Sequence, residues 1–218
     1  MIIGHGRSGT SLCTGLLNSV PEVNIGYEIN NDEIEINGNI NPKDFPVDFN
    51  GNKIAISGSS SFSRFSEFIN SGAVITNKKK EDTSFIFTKR NAIDTIVSTK
   101  YRNKLKCRNF SVEELVDNYI KAEAIIDQII EEVGLFFLFD FDAVIEDPRV
   151  CKGMFRFVNK EFLNEYVSDY TGTLNYTHAT GVKKDNAVHG RKDKYLKLRD
   201  EIRREFIRRT FDWKKEKW

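Results

Sequence analysis

Apolar positions along the chain alternate between short solid runs and helical stripes. Met1-Ile2-Ile3 reads as the tail of a buried strand, and Gly4 to Gly9 as a turn. Leu12, Leu16 and Leu17 then recur at helical spacing across Thr10 to Asn18, with Pro21 marking the end. The stretch Asn30 to Asn52, rich in Asn, Asp and Gly, holds neither period and reads as an irregular excursion. Lys53 to Ser57 predicts a short strand. Ser60 to Asn70 predicts a helix, entered through the Ser-rich segment Ser57 to Ser66 with its interleaved Phe62, Phe65 and Phe68. Ser84 to Thr88 is a strand of β-formers, and Asn91 to Tyr101 the helix behind it, with Asn91 as N-cap.

Ser111-Val112-Glu113-Glu114 is a capping box, and its helix runs on through Leu115, Tyr119, Ala122, Ile126, Ile129 and Val133 to Gly134. Leu135 to Phe141 predicts another buried strand, and Asp147-Pro148 opens a further helix. From Lys194 to Trp213, Leu198, Ile202, Phe206 and Phe211 share one side and Arg and Lys fill the other. Strands alternating with helices predict an α/β fold whose mostly parallel sheet is covered on both faces. With no repeat and no dividing linker, residues 1–218 are expected to form one domain.

Composition narrows the function. Hydrophobic residues are 39% of the 218, and 17 are Phe, enough for a packed core. The 33 basic and 32 acidic side chains nearly cancel, so a general nucleic-acid binder is not expected. Anion binding must then come from local placement of Arg and Lys. Cys13, Cys107 and Cys151 are scattered, without CxxC spacing, so neither a metal site nor a redox pair is indicated. No apolar stretch approaches the ~20 residues of a membrane span, and no secretory leader is expected. A reducing, cytoplasmic setting is the expectation.

Candidate chemistry begins at Gly4-His5-Gly6-Arg7-Ser8-Gly9-Thr10-Ser11, between a strand and a helix. Glycines let backbone N–H groups close around an anion, and the helix adds its positive end. Gly4 and Gly9 match the Walker pattern GxxxxGK[ST], but Thr10 stands where the lysine belongs. The triphosphate clamp is missing, while Arg7 adds a cation inside the loop. That suits a smaller anion, such as a phosphate bearing a sulfate; a ligand-free glycine turn is the plainer alternative. The second anchor is Arg90, at the end of a predicted strand, with Ser98 two helical turns on. Ligands gather beyond strand C-termini in open α/β sheets, and an Arg fork suits phosphate. Pairing of Arg90 with Asp94 or a neighbouring acid is the alternative for that residue taken alone.

Together these segments resemble the two motifs with which sulfotransferases bind 3′-phosphoadenosine 5′-phosphosulfate (PAPS). Gly6-Arg7-Ser8-Gly9-Thr10-Ser11 is similar to the 5′-phosphosulfate loop of tyrosylprotein-type and bacterial members. The segment Arg90 to Ser98 is similar to the 3′-phosphate motif, and Phe141 to Pro148 to the segment YEDLxxDP, with Phe141 and Asp142 as substitutions. The resemblance implies a P-loop-NTPase-like three-layer sandwich with a mostly parallel central sheet flanked by helices, and metal-free transfer of a sulfuryl group to a hydroxyl or amine acceptor.

Glu28 is the implied base. It follows a segment similar to HPEVxxxxE, twenty-one residues beyond Arg7, whereas Glu33 and Glu35 read as solvated acids. Arg7 is expected on the 5′-phosphosulfate, and Lys53, in a segment similar to GDK, near the sulfuryl. Arg191 and Lys192 resemble the basic loop that closes over the nucleotide, without its usual tryptophan; a solvated basic turn is the alternative there. His5 sits in the loop and is a second possible base, while His178 and His189 carry no motif. The acceptor pocket falls on the variable stretches Asn30 to Asn52, Arg102 to Phe110 and Tyr166 to Asn186, whose polar content suits a sugar, a peptide tyrosine or a small metabolite. Two rival readings stay open: a P-loop kinase or NTPase, and a catalytically silent nucleotide-binding module.

Overall fold

A computed structural model describes residues 1–29, 51–58, 60–70, 80–105, 108–164, 176–177, 182–183 and 189–215. Its centre is the strand β1 (Ile2–His5), four residues with every side chain buried. A strand covered on both faces favours apolar residues, and Ile2 and Ile3 are both fully excluded from solvent, with His5 as its buried polar end. Around it, β2 (Ile25–Ile29), β3 (Gly51–Ile56), β4 (Phe85–Lys89) and β5 (Phe136–Asp140) complete a five-stranded sheet in the order β2-β3-β1-β4-β5. All four pairings are parallel. Every strand therefore ends at the same edge of the sheet.

The pleat sends alternate residues to opposite layers. On one face Ile3, Ile54, Phe85 and Phe87 pack with Phe65 and Ile69 of α2 (Phe62–Asn70) and with Ala122, Ile126 and Ile129 of α4 (Val112–Val133). On the other, Ile2, Ile86 and Phe139 meet Leu12, Leu16 and Leu17 of α1 (Thr10–Asn18) and Met154 and Phe155 of α6 (Lys152–Phe157). A third apolar cluster joins α3 (Ala92–Leu105) and α4 to Ile202 of α7 (His189–Lys215). The result is a three-layer α/β arrangement: helices, parallel sheet, helices. Arg199 of α7 pairs with Asp94 of α3 at 2.9 Å, fixing the last helix across the first turn of α3. Among the described residues no helix is long and apolar enough to cross a membrane.

The capping box at Ser111 is present in both halves, Ser111 accepting from the Glu114 amide and Glu114 from that of Ser111. Asn91 caps α3 through its side chain, accepting from the Asp94 amide at 3.2 Å. Elsewhere the chain departs from expectation. Ile25–Ile29 is a strand where none was expected, and β3 begins at Gly51, inside the stretch expected to be irregular. Glycine is required at that point, because a Cβ on Gly51 would stand 2.9 Å from the Ile25 side chain.

The strand expected to reach Phe141 stops at Asp140. The Asp140 carboxylate accepts from the amides of Asp142 and Ala143 and so starts the short helix α5 (Phe141–Glu146). Asp147-Pro148 opens a 3₁₀ turn (Pro148–Cys151) that leads into α6. The final helix begins at His189, not Lys194, so Arg191 and Lys192 stand on its first turns rather than in a loop. Before it, Tyr176–Thr177 (β6) and Val182–Lys183 (β7) form a small antiparallel pair. Residues 30–50 and most of 166–188, which hold most of the first and last acceptor stretches, lie outside the described residues; of the stretch Arg102 to Phe110, residues 102–105 close α3.

Candidate functional site

The order β2-β3-β1-β4-β5 puts the chain's second strand on one side of β1 and its fourth on the other. Crevices open at such a switch, beyond the strand C-termini. The segment between β1 and α1 lies in that position. Ser8 donates its amide to the His5 carbonyl at 3.0 Å, closing the turn. Arg7 (φ 80°) and Gly9 (φ 106°) are both left-handed, an arrangement that folds the backbone back on itself. Gly9 is doubly constrained, since a Cβ there would lie 2.7 Å from the Phe141 ring. At Gly4 a Cβ would meet Thr88 Oγ1 at 2.0 Å, so only glycine lets β4 approach the loop. At Gly6 the space is open.

Helix α1 starts without a side-chain cap and without an acid in its first turn. Its positive end is thus not neutralised locally, which favours an anion at the loop. Thr10, at the position of the Walker lysine, is buried, and Ser8 Oγ lies 2.6 Å from Thr88 Oγ1 in a buried hydroxyl pair. The loop floor is therefore tied to β4.

The same strand delivers the second anchor. Arg90 follows β4, and its Nη1 donates to the Arg7 carbonyl at 3.4 Å. Its guanidinium lies 4.6 Å above the centre of the Phe141 ring. Arg90 Nε is 3.9 Å from Asp142 Oδ1 and buried, and it makes no hydrogen bond. Asp94 is paired with Arg199, and the acid beside Arg90 is Asp142, so the expected pairing with a neighbouring acid holds with Asp142 rather than with Asp94. Arg7 Nε in turn donates to Ser98 Oγ at 3.1 Å, and Ser98 is 1% exposed. Arg7, Arg90 and Ser98, far apart in sequence, thus meet at one corner. Asp142 completes it by accepting from the Asn91 amide at 2.6 Å.

Toward the other side of β1, Lys53 Nζ donates to Ser11 Oγ at 3.4 Å, on the first turn of α1. Glu28 stands beside Lys53 in the β2–β3 register, and its side chain lies outside the described residues. So do the side chains of Arg191 and Lys192 on α7, and all of His178. His5 is buried against the Tyr119 ring (centroids 4.8 Å apart) and donates from Nδ1 to the Gly6 carbonyl at 2.6 Å. Burial pulls its pKa down to about 4. It is therefore neutral and enclosed at ordinary pH, a poor match for the possible base the sequence suggested.

Two features of this corner carried no signal as single residues: Thr88, which locks Ser8, and the Phe141 ring that serves both Gly9 and Arg90. A third is legible in the sequence. Glu123 interrupts the apolar stripe of α4 between Tyr119 and Ile126, and an acid on an inward stripe is itself a sign. Burial and the neighbouring Asp127 push its carboxyl up to about 7. Among the described residues no group of His, Cys, Asp and Glu is arranged to hold a metal ion. No protein-family model matches the chain, and no curated protein sequence matches it.

Proposed function

We propose that the protein is a PAPS-dependent sulfotransferase with a P-loop-like fold, transferring a sulfuryl group to a hydroxyl or amine acceptor. The observation that carries this reading is the convergence of Arg7, Arg90 and Ser98 beside an uncapped helix N-terminus, with Thr10 where a triphosphate enzyme needs lysine. The Arg90 guanidinium and the Ser98 hydroxyl suit a phosphate monoester, with Arg7 standing between them and the loop. The loop amides and the end of α1 suit a second anion next to it. A nucleotide with phosphates at two ribose positions carries two such anions, and the resemblance of residues 6–11, 90–98 and 141–148 to sulfotransferase motifs supports the same donor.

On this reading the reaction is an in-line displacement at sulfur. The acceptor oxygen or nitrogen forms its bond to sulfur as the bond from sulfur to the 5′-phosphate oxygen breaks. Glu28 takes the acceptor proton, and 3′-phosphoadenosine 5′-phosphate departs with the bonding pair on its phosphate oxygen. Lys53 and Arg7 stabilise the charge that develops on the sulfuryl and bridging oxygens. Arg191 and Lys192, on a helix rather than a loop, are assigned to the nucleotide only through the resemblance. A cytoplasmic setting goes with this reading, and the buried free thiols Cys13 and Cys151 fit it.

The deciding experiment is calorimetric titration with 3′-phosphoadenosine 5′-phosphate and with ATP, without and then with magnesium. Metal-independent binding of the bisphosphate, lost in Arg90→Ala, is the expected result. Magnesium-dependent ATP binding with no response to the bisphosphate would replace this reading with a kinase or NTPase. Tight bisphosphate binding with no transfer to any of a broad acceptor panel would leave a silent nucleotide-binding module.

A further inference from the structure

The turn between β1 and α1 leaves Ser8 a single group to offer a ligand. Its amide already donates to the His5 carbonyl at 3.0 Å, so the hydroxyl remains. Ser8 stands between the left-handed residues Arg7 and Gly9, and its Oγ lies 2.6 Å from Thr88 Oγ1. Both residues are buried. The register of the sheet sets this pair, because Thr88 of β4 lies beside Gly4 of β1. A Cβ on Gly4 would fall 2.0 Å from Thr88 Oγ1 and 2.7 Å from Ser8 Oγ. The absent side chain of Gly4 is therefore the room in which the two oxygens meet.

Two hydroxyls carry two protons, and only one of them lies between the oxygens. Taken alone, the pair can run in either direction. A phosphate or sulfate in the loop presents acceptors only, so it draws the Ser8 proton toward itself. The proton between the oxygens must then come from Thr88.

We propose that Thr88 is a positioning residue for the sulfuryl transfer: its hydroxyl donates to Ser8 Oγ and so aims the Ser8 proton at the anion in the loop. The inference rests on the nucleotide reading above, and it adds a residue outside the segments 6–11, 90–98 and 141–148. Hydrogen bonds in series polarise one another, so Ser8 donates more strongly with Thr88 behind it than alone. Thr88 touches neither nucleotide nor acceptor and acts through Ser8. Without its hydroxyl, Ser8 Oγ becomes a buried acceptor with no donor, and its proton is free to turn away from the ligand.

The test is titration of the full chain with adenosine 3′,5′-bisphosphate, beside thermal melts, in Thr88→Val, Thr88→Ser, Ser8→Ala and the double variant Thr88→Val with Ser8→Ala. Valine keeps the shape of threonine and removes the hydroxyl; serine keeps the hydroxyl and removes the methyl. Thr88→Val should bind about fivefold more weakly than the wild type, the scale of one hydrogen bond. Thr88→Ser should stay within about twofold. Ser8→Ala should lose at least as much as Thr88→Val, and the double variant no more than Ser8→Ala, because the Thr88 hydroxyl then has nothing to aim. If Thr88→Val does not fold, Thr88→Cys takes its place, since a thiol is a much weaker donor of similar size, and the same loss is expected.

Wild-type affinity in Thr88→Val overturns the proposal. So does an equal loss in Thr88→Val and Thr88→Ser, which marks a packing role, or a double variant in which the two losses add. If the wild type then still binds the bisphosphate in an Arg90-dependent manner, the donor reading stands without Thr88. No binding of the bisphosphate by the wild type overturns both.

Discussion

Arg7 Nε donates to Ser98 Oγ over 3.1 Å, joining residues 91 apart in the chain and bringing the loop cation onto the helix behind β4. One hydroxyl therefore orients the guanidinium that the proposed function places on the nucleotide.

Removing that hydroxyl should loosen the ligand more than the fold. Ser98→Ala is expected to weaken bisphosphate binding about tenfold, the scale of one hydrogen bond to a charged group. The melting temperature should move by only a few degrees. Calorimetry beside a thermal melt checks both. Unchanged affinity would mean that Arg7 is oriented by other contacts.

Two glycines of the loop should respond differently to the same methyl group. Gly9→Ala forces a side chain into left-handed backbone and against the Phe141 ring, and should cost about 1–3 kcal/mol. Gly6→Ala meets nothing within 4 Å and should stay within about 0.5 kcal/mol of the wild type. Denaturant unfolding of the pair gives the comparison.

Two shifted titrations, of buried His5 and half-buried Glu123, oppose each other in their effect on stability. His5 falls from 6.5 to about 4 on folding, so its contribution is complete above 6.5 and is lost as pH drops toward 4. At most this amounts to about 3 kcal/mol. Glu123 rises from 4.5 to about 7, so its contribution is complete below 4.5 and is lost as pH climbs toward 7. Between about 4.5 and 6.5 the slopes largely offset, and stability should be nearly flat. Glu123→Gln should unmask a stability that rises with pH, and His5→Phe one that falls. Unfolding free energies at three pH values in this window decide it.

On the proposed chemistry, Glu28→Gln should retain the nucleotide yet lower turnover by roughly 10²–10⁴, the range for losing a general base. Lys53→Met should also reduce turnover more than bisphosphate affinity. Near-normal turnover in Glu28→Gln with intact binding would remove Glu28 from the base role.

Much of the scaffold was legible because its signals are local. The capping box at Ser111, the side-chain cap at Asn91 and the leucine spacing of α1 each involve residues a turn apart. What was not legible depends on partners distant in sequence. Ile25–Ile29 forms an edge strand only because β3 arrives beside it from residue 51 onward, and its own Gly26 argues against it. The end of β5 turns on Asp140 capping α5, in a run of Phe and Asp that equally suits an extended strand. Likewise, His189-Gly190 reads as a break, yet the helix of the following residues extends back through it. In the site, Gly9 and Arg90 were each identified, but their common neighbour Phe141 was flagged only as part of a motif.

That ring sets a mechanical condition. With one face toward the Arg90 guanidinium and an edge against Gly9, Phe141 leaves the loop, the start of α3 and the start of α5 no independent way to open. Their amides should exchange with solvent as one cooperative unit rather than as three fraying ends. A ligand held by any one of them would then slow exchange in all three.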